Sequence, residues 1–307
     1  MHSNYLRGSV RAAAIIASLS LAASAALAQS GASNQPTPEA RQKELAEAID
    51  AGFKAATQGP ASVALIDQGA LKLPAKFAFI PKAEGSRMMR AMGNSTNANF
   101  IGLVLPSDGA NWFATLDFNK AGYVKDDDAK DWKADDLLKT LKDGTAAGND
   151  DRAARGFPPI EVAGWVEPPA YDKATHRLVW AALVQRVGQA TGNGGSVNYN
   201  TYALGRHGYF ELNMIGAPDV IRANKENAKL LLAALEYDLG KKYEDFQPGV
   251  DEVAGYGLAA LVAGAAAKKL GMFALIGVFL LKFWKIFAIG AVAVAAVGSR
   301  FIGRKSA

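Results

Sequence analysis

Between residues 160 and 215 the chain carries four strand-like runs in succession, at 160–166, 177–187, 197–204 and 209–215. The first three are separated by loops containing Pro168-Pro169 and Gly192-Asn193-Gly194-Gly195, and Gly205-Arg206-His207-Gly208 turns the chain before the last. Parallel pairing needs a crossover of a dozen or more residues, so strands joined this closely pair antiparallel. Pro218 then opens a helix to about Tyr237, with Val220, Ile221, Ala228, Leu231, Leu232 and Leu235 available to cover one sheet face. The expected class is α+β, with largely antiparallel sheet and covering helices.

The first half supplies more of the same material. Thr37-Pro38-Glu39 joins a capping hydroxyl, a proline that needs no N–H and an acid near the positive helix end. Leu45, Ile49, Phe53 and Ala56 follow at helical spacing until Gly59-Pro60. Val63 and Leu65, Leu71 and Leu73, then Phe77 and Phe79 alternate, with a turn at Asp67-Gln68-Gly69. A helix over 83–92 offers Met88, Met89 and Met92 as a packing face. Two strands, 100–105 and 112–118, flank the turn Pro106-Ser107-Asp108-Gly109. Leu137, Leu138 and Leu141 mark a helix, and the Gly-, Asn- and Asp-rich stretch 143–156 reads as a loop and a candidate internal boundary. The core is expected to be complete by about Tyr243.

The two ends differ from this middle. Arg7 and Arg11 precede an uncharged run over 12–25 and then Ala26-Leu27-Ala28, the three parts of a secretory signal peptide. Residues 1–28 are therefore expected to be removed, and 29–38 to be a flexible lead-in. After Glu252 no acidic residue occurs, while Lys268, Lys269, Lys282, Lys285, Arg300, Arg304 and Lys305 punctuate apolar runs at 254–267, 270–281 and 286–299. The last two runs with the residues between them span 30 residues, about 45 Å as helix. That exceeds a hydrocarbon core of about 30 Å, so one helix can slide until Lys282, Trp284 and Lys285 meet an interface. This predicts a membrane anchor and basic tail over 253–307, with Arg300, Arg304 and Lys305 placing the C-terminus in the cytoplasm and an extracytoplasmic, periplasmic body over 39–252. Lys268-Lys269 favours the alternatives, a hairpin or short helices that self-associate.

Location of charge also decides the partner class. The pI is about 9.2, yet setting aside the two bases of the first segment and the seven of the last leaves 25 against all 29 acids. A weakly acidic body does not make the footprint of nucleic-acid binding. The absence of cysteine excludes disulfides, thiolate metal sites and cysteine nucleophiles.

Several strings together resemble one family: Gly122-Tyr123-Val124-Lys125-Asp126-Asp127-Asp128, Gly164-Trp165, Pro168-Pro169, Tyr171-Asp172 and Leu178-Val179-Trp180-Ala181. Asn198-Tyr199-Asn200-Thr201-Tyr202, Leu204-Gly205-Arg206, Gly208-Tyr209 and the stretch from Tyr256 to Gly264 extend it. The chain resembles the bacterial family known as domain of unknown function 2167, described as uncharacterised membrane-anchored proteins. The resemblance runs from about residue 40 to the C-terminus and implies an exported body with a membrane anchor. It implies no activity, substrate or catalytic residue.

The residues themselves carry no catalytic or metal motif. Counting from Asp126, the sixth and twelfth places of an EF-hand loop hold Asp131 and Leu137 rather than glycine and glutamate. His176 and His207 have no metal-type partner at i+4, and the loop at 192–196 lacks P-loop and dinucleotide spacing. No cofactor is expected. The candidate binding residues are Tyr123, Lys125, Asp126, Trp165, Tyr171, Asp172, Trp180, Tyr202 and Arg206, aromatic and charged positions that would line a cleft for a sugar, lipid or peptide if they shared a face. The expected function is a binding or scaffold module of the cell envelope, whose partner is the lipid bilayer. An envelope hydrolase using Asp126, Asp172 or His207, or an oligomeric membrane assembly built by the C-terminal helices, is the alternative.

Overall fold

The computed structural model describes residues 37–263 apart from 93, 95, 155, 156 and 190–193. The expected signal peptide, most of the expected lead-in, the part of the expected anchor beyond 263 and part of the loop at 192–195 lie outside the described residues. Among the described residues no helix is long and apolar enough to cross a membrane.

Helix α1 (Pro38–Ala55) begins where expected, with Ala40 N donating to the Thr37 hydroxyl at 3.2 Å. Strands β1 (Thr57–Gln58), β2 (Ala61–Leu65), β3 (Gly69–Leu73) and β4 (Phe77–Pro81) lead to α2 (Lys82–Ala91), then β5 (Phe100–Pro106) and β6 (Trp112–Asn119). A 3-10 turn at Asp127–Lys130 precedes α3 (Ala134–Ala147) and α4 (Asn149–Ala154). Strands β7 (Ile160–Asp172), β8 (Arg177–Arg186), β9 (Ser196–Leu204) and β10 (Tyr209–Gly216) follow, then α5 (Pro218–Ala233), β11 (Leu235–Tyr237), a 3-10 turn at Tyr243–Asp245 and α6 (Ala259–Ala263).

Eight strands form one antiparallel sheet in the order β1-β4-β5-β6-β10-β9-β8-β7, and β11-β3-β2 form a smaller one. The fold is α+β. Alternation along β6 sorts the faces: Trp112, Ala114, Leu116 and Phe118 point to one side, which the small sheet and α5 cover with Leu65, Leu71, Ile221, Ala228 and Leu231. The opposite face has two separate covers. Helices α1 and α2 bring Leu45, Ile49, Met88 and Met89 onto β4 and β5, while α3 and α6 bring Leu137, Leu261 and Val262 onto β7, β8 and β9. Strands β6 and β10 lie between these covers.

Four local expectations change. The stretch read as a loop at 143–156 is largely helical: α3 runs to Ala147 and α4 to Ala154, and β6 before it pairs directly with β10 after it. β7 continues through Pro168-Pro169, because it is the edge strand and its register shifts there leave no ladder N–H to supply. The helix opened by Pro218 ends at Ala233, since Leu235 and Tyr237 find pairing groups on β3 opposite Leu71 and Gly69. The core also continues beyond Tyr243, with Leu258 and Val262 fully buried and Leu261 5% exposed.

Candidate functional site

The acidic stretch after β6 forms a joint between distant parts of the chain. Gly122 opens it at φ +81, and a Cβ there would stand 2.7 Å from the Glu252 carbonyl oxygen. Glycine therefore allows the close parallel bridge in which Tyr123 N donates to Glu252 O (2.8 Å) and Ala254 N to Tyr123 O (2.9 Å). Phe246, Tyr123, Tyr243 and His176 then stack as one column, with ring centroids 3.9, 4.4 and 4.1 Å apart. Both faces of Tyr123 and of Tyr243 are occupied within it. The Tyr243 hydroxyl donates to Val124 O at 2.9 Å.

Beside the column, the Tyr171 hydroxyl lies 2.9 Å from Asp126 Oδ2 and 3.1 Å from His176 Nδ1. A phenol has one proton; given to the carboxylate, it requires Nδ1 of His176 to be the donor to the phenol oxygen. Burial, and next the Asp126 carboxylate, push the Tyr171 hydroxyl well above the ordinary tyrosine range, so it holds its proton. His176 is a non-glycine residue at φ +53, a conformation that costs strain and here points the ring into the column. Asp128 works in the other direction: its two carboxylate oxygens accept from Leu258 N and Ala259 N, each at 3.0 Å, and fix the start of α6. At Gly257 a Cβ would lie 2.5 Å from Asp128 Oδ2, so glycine makes room for that carboxylate.

A second polar group occupies the gap between the two helical covers. Thr115, Asp117 and Asn119 of β6 and Glu211 and Asn213 of β10 face it, all half-buried. Register places Asp117 opposite Glu211 and Thr115 opposite Asn213, with Tyr202 of β9 on the other side of Glu211. Glu211 accepts from Asn119 Nδ2 at 3.3 Å. The Tyr202 hydroxyl lies 3.3 Å from Glu211 Oε1 and 3.1 Å from the Leu261 carbonyl oxygen of α6. Burial, and then the like charge of Asp117, push Glu211 up to about 7; burial pushes Asp117 up to about 6.

The candidate residues do not share one cleft. Tyr123, Asp126 and Tyr171 meet in the joint. Trp180 and Tyr202 are buried in the core beneath α3 and α6, Trp165 packs edge-on against Trp180 at 5.8 Å, and the Trp165 indole donates to Ala134 O. Lys125 is exposed. Asp172 is exposed and closes the β7–β8 hairpin by accepting from Ala174 N (2.9 Å) and the Thr175 hydroxyl (2.8 Å). Arg206 makes two bonds to Asp251, at 2.8 and 2.9 Å, which hold that carboxyl below its ordinary value. Asp126 thus lies in the joint and Asp172 at the hairpin turn, while His207 sits in the turn between β9 and β10, its carbonyl accepting from Gly122 N at 3.2 Å. Sequence reasoning missed His176, Tyr243 and the Asp117–Glu211 pair. No local signal marks the pair, because each acid alone alternates with apolar residues along an ordinary strand. Among the described residues no cluster of three or more His, Asp or Glu could hold a metal ion.

Among solved structures, the chain is similar to the solution structure of cyanobacterial PsbP from Synechocystis sp. PCC 6803, at 7% identity and a TM-score of 0.37 over 57% of this chain and 90% of that one. No curated protein matches it. The sequence matches the family described as protein of unknown function DUF2167 over residues 57–293, and the chain belongs to that family.

Proposed function

We propose that the protein is an exported, C-terminally membrane-anchored scaffold or binding module of the cell envelope, built to hold its body rigidly at the point where the anchor begins. One observation carries this reading: the chain from β11 to α6 is fastened back onto the body at every turn. The fastenings are the Arg206–Asp251 pair, the four-ring column, the Tyr123–Val253 bridge, the Asp128 cap and the Tyr202–Leu261 contact. A flexible tether would need none of them. The acid-free apolar sequence that starts after Glu252 runs on past α6, where lysines begin to punctuate it in a pattern that suits a bilayer.

The test is fractionation of cells producing the full chain and a version ending at Ala263. The full chain is expected in membranes with its first residue at Gln29, and the shortened one free in the envelope space. A reporter after Ala307 is expected to be active in the cytoplasm. Recovery of the shortened chain with salt-washed membranes, or a full chain that retains Met1, would overturn the proposal. The hydrolase alternative draws on the Asp126–Tyr171–His176 relay, and hydrolytic turnover lost in His176→Gln but kept in Asp172→Asn would replace the scaffold reading.

A further inference from the structure

We propose that Glu211 and Asp117 form a proton-binding site whose occupancy latches α6 onto the sheet. The first argument is stoichiometric. The Tyr202 hydroxyl has one proton and two acceptor neighbours, the Leu261 carbonyl oxygen at 3.1 Å and Glu211 Oε1 at 3.3 Å. A backbone carbonyl only accepts, so both contacts can be hydrogen bonds only when the phenol proton goes to Leu261. The contact with Glu211 is then a hydrogen bond only if the carboxyl donates to the phenol oxygen, which requires Glu211 to be protonated. An ionised Glu211 would compete for the phenol proton and draw it away from α6.

The second argument is electrostatic. Asp117 and Glu211 stand directly opposite each other on central strands, where side chains of facing residues approach within about 5 Å. Two half-buried carboxylates this close cannot both ionise cheaply. The titratable groups bearing on the pair are few: Tyr202 of β9, Tyr209 of β10, which Tyr256 approaches from the segment before α6, and Lys82 of α2. Only Lys82 is cationic, and its ammonium group donates to Ala98 O at 2.7 Å. α6 itself, Ala259–Ala263, carries no titratable side chain. The proton is therefore what the pair has to offer Tyr202.

Third, the pair's ionisation has a place to be felt. Leu261 and Val262 of α6 are buried against the same face, and α6 is the last described element before residue 264. Protonated, the Glu211–Tyr202–Leu261 chain has a donor for every acceptor. Deprotonated, one link is lost and charge is left beneath the helix. This reading stands whether or not the following segment enters a bilayer.

The experiment uses the full chain in detergent micelles. Carbon-13 NMR of labelled glutamate is expected to show the Glu211 carboxyl titrating near 7, and a midpoint below about 5, the ordinary glutamate region, overturns the site. Hydrogen exchange of residues 257–263, corrected for intrinsic rates, is expected to speed up by as much as about tenfold for each pH unit above that midpoint. Glu211→Gln, whose amide donates at every pH, is expected to keep slow exchange from pH 5.5 to 8.5. Asp117→Asn, which leaves Glu211 in place, is expected to lower the Glu211 midpoint and shift the exchange profile with it. Exchange at α6 that ignores pH in the parent, or follows pH equally in Glu211→Gln, overturns the latch.

Discussion

Asp128 bonds to backbone groups 130 and 131 residues further along the chain. Loss of such a cap costs about 0.5–2 kcal/mol, so Asp128→Ala is expected to lower the urea midpoint by that amount of stability. Asp127→Ala, at the exposed neighbour, is expected to change it by less than about 0.5 kcal/mol. Equal effects would remove the cap assignment. Acidic residues also set opposite pH trends. Asp251, held low by Arg206, contributes stability that is full above the ordinary 3.8 and lost as pH falls through its lowered value. Glu211 and Asp117 are raised, so the folded state binds more protons than the unfolded one and stability falls as pH rises from about 4.5 towards about 7. Urea midpoints measured from pH 4.5 to 7.5 are expected to decline in the parent and to be flatter in Asp117→Asn/Glu211→Gln. A parent midpoint that rises across that window would contradict the assignment.

Helix α5 shows how far pattern alone reaches at the level of an element. Ile221, Ala228, Leu231 and Leu232 recur at helical spacing and are the residues buried on it. Leu231 is fully buried and Leu230 is 46% exposed, so Leu231→Ala is expected to cost about 2–5 kcal/mol by denaturation and Leu230→Ala under about 1 kcal/mol. A comparable loss at both would mean that α5 turns a different face to the sheet. The end of α5 was not legible. Apolar spacing continues to Leu235, but Lys72 N finds Ala234 O at 2.8 Å and the chain becomes a strand. A three-residue strand has too few positions to show a period; the unsatisfied edge of β3 creates it. The proline pair in β7 was misread for a related reason, since only the strand's place at the sheet edge makes proline tolerable there.

At the level of the molecule, the interlock of residues 122–128 and 202–206 with 243–262 decides where the chain can be cut. Removing everything after Val253 deletes Leu258, Leu261 and Val262 from the core beneath α3, whereas removal after Ala263 leaves them in place. The version ending at Ala263 is expected to unfold within a few degrees of the full chain. The version ending at Val253 is expected to unfold well below it, each lost large apolar contact being worth about 2–5 kcal/mol. Indistinguishable melting of the two would show that α6 contributes nothing to the body. The same interlock makes the segment that leads to residue 263 part of the core, which is the physical content of the proposed rigid scaffold.

The sequence by itself determined whatever depends on neighbours a few residues apart. Alternation at Trp112–Asn119 gave a strand, the cap at Thr37 a helix start, and short loops an antiparallel sheet. It also separated the acidic body from the basic ends, because charge location needs no fold. Only the tertiary structure decided which strands stand side by side, and with that the site. β6 meets β10 across some hundred residues, bringing Asp117 to Glu211; Tyr123 meets Tyr243; Asp128 reaches α6. None of these contacts leaves a local signal, because each partner alone is an ordinary strand, loop or turn residue. Their chemistry exists only when hydrophobic burial on both faces of the sheet has fixed the register.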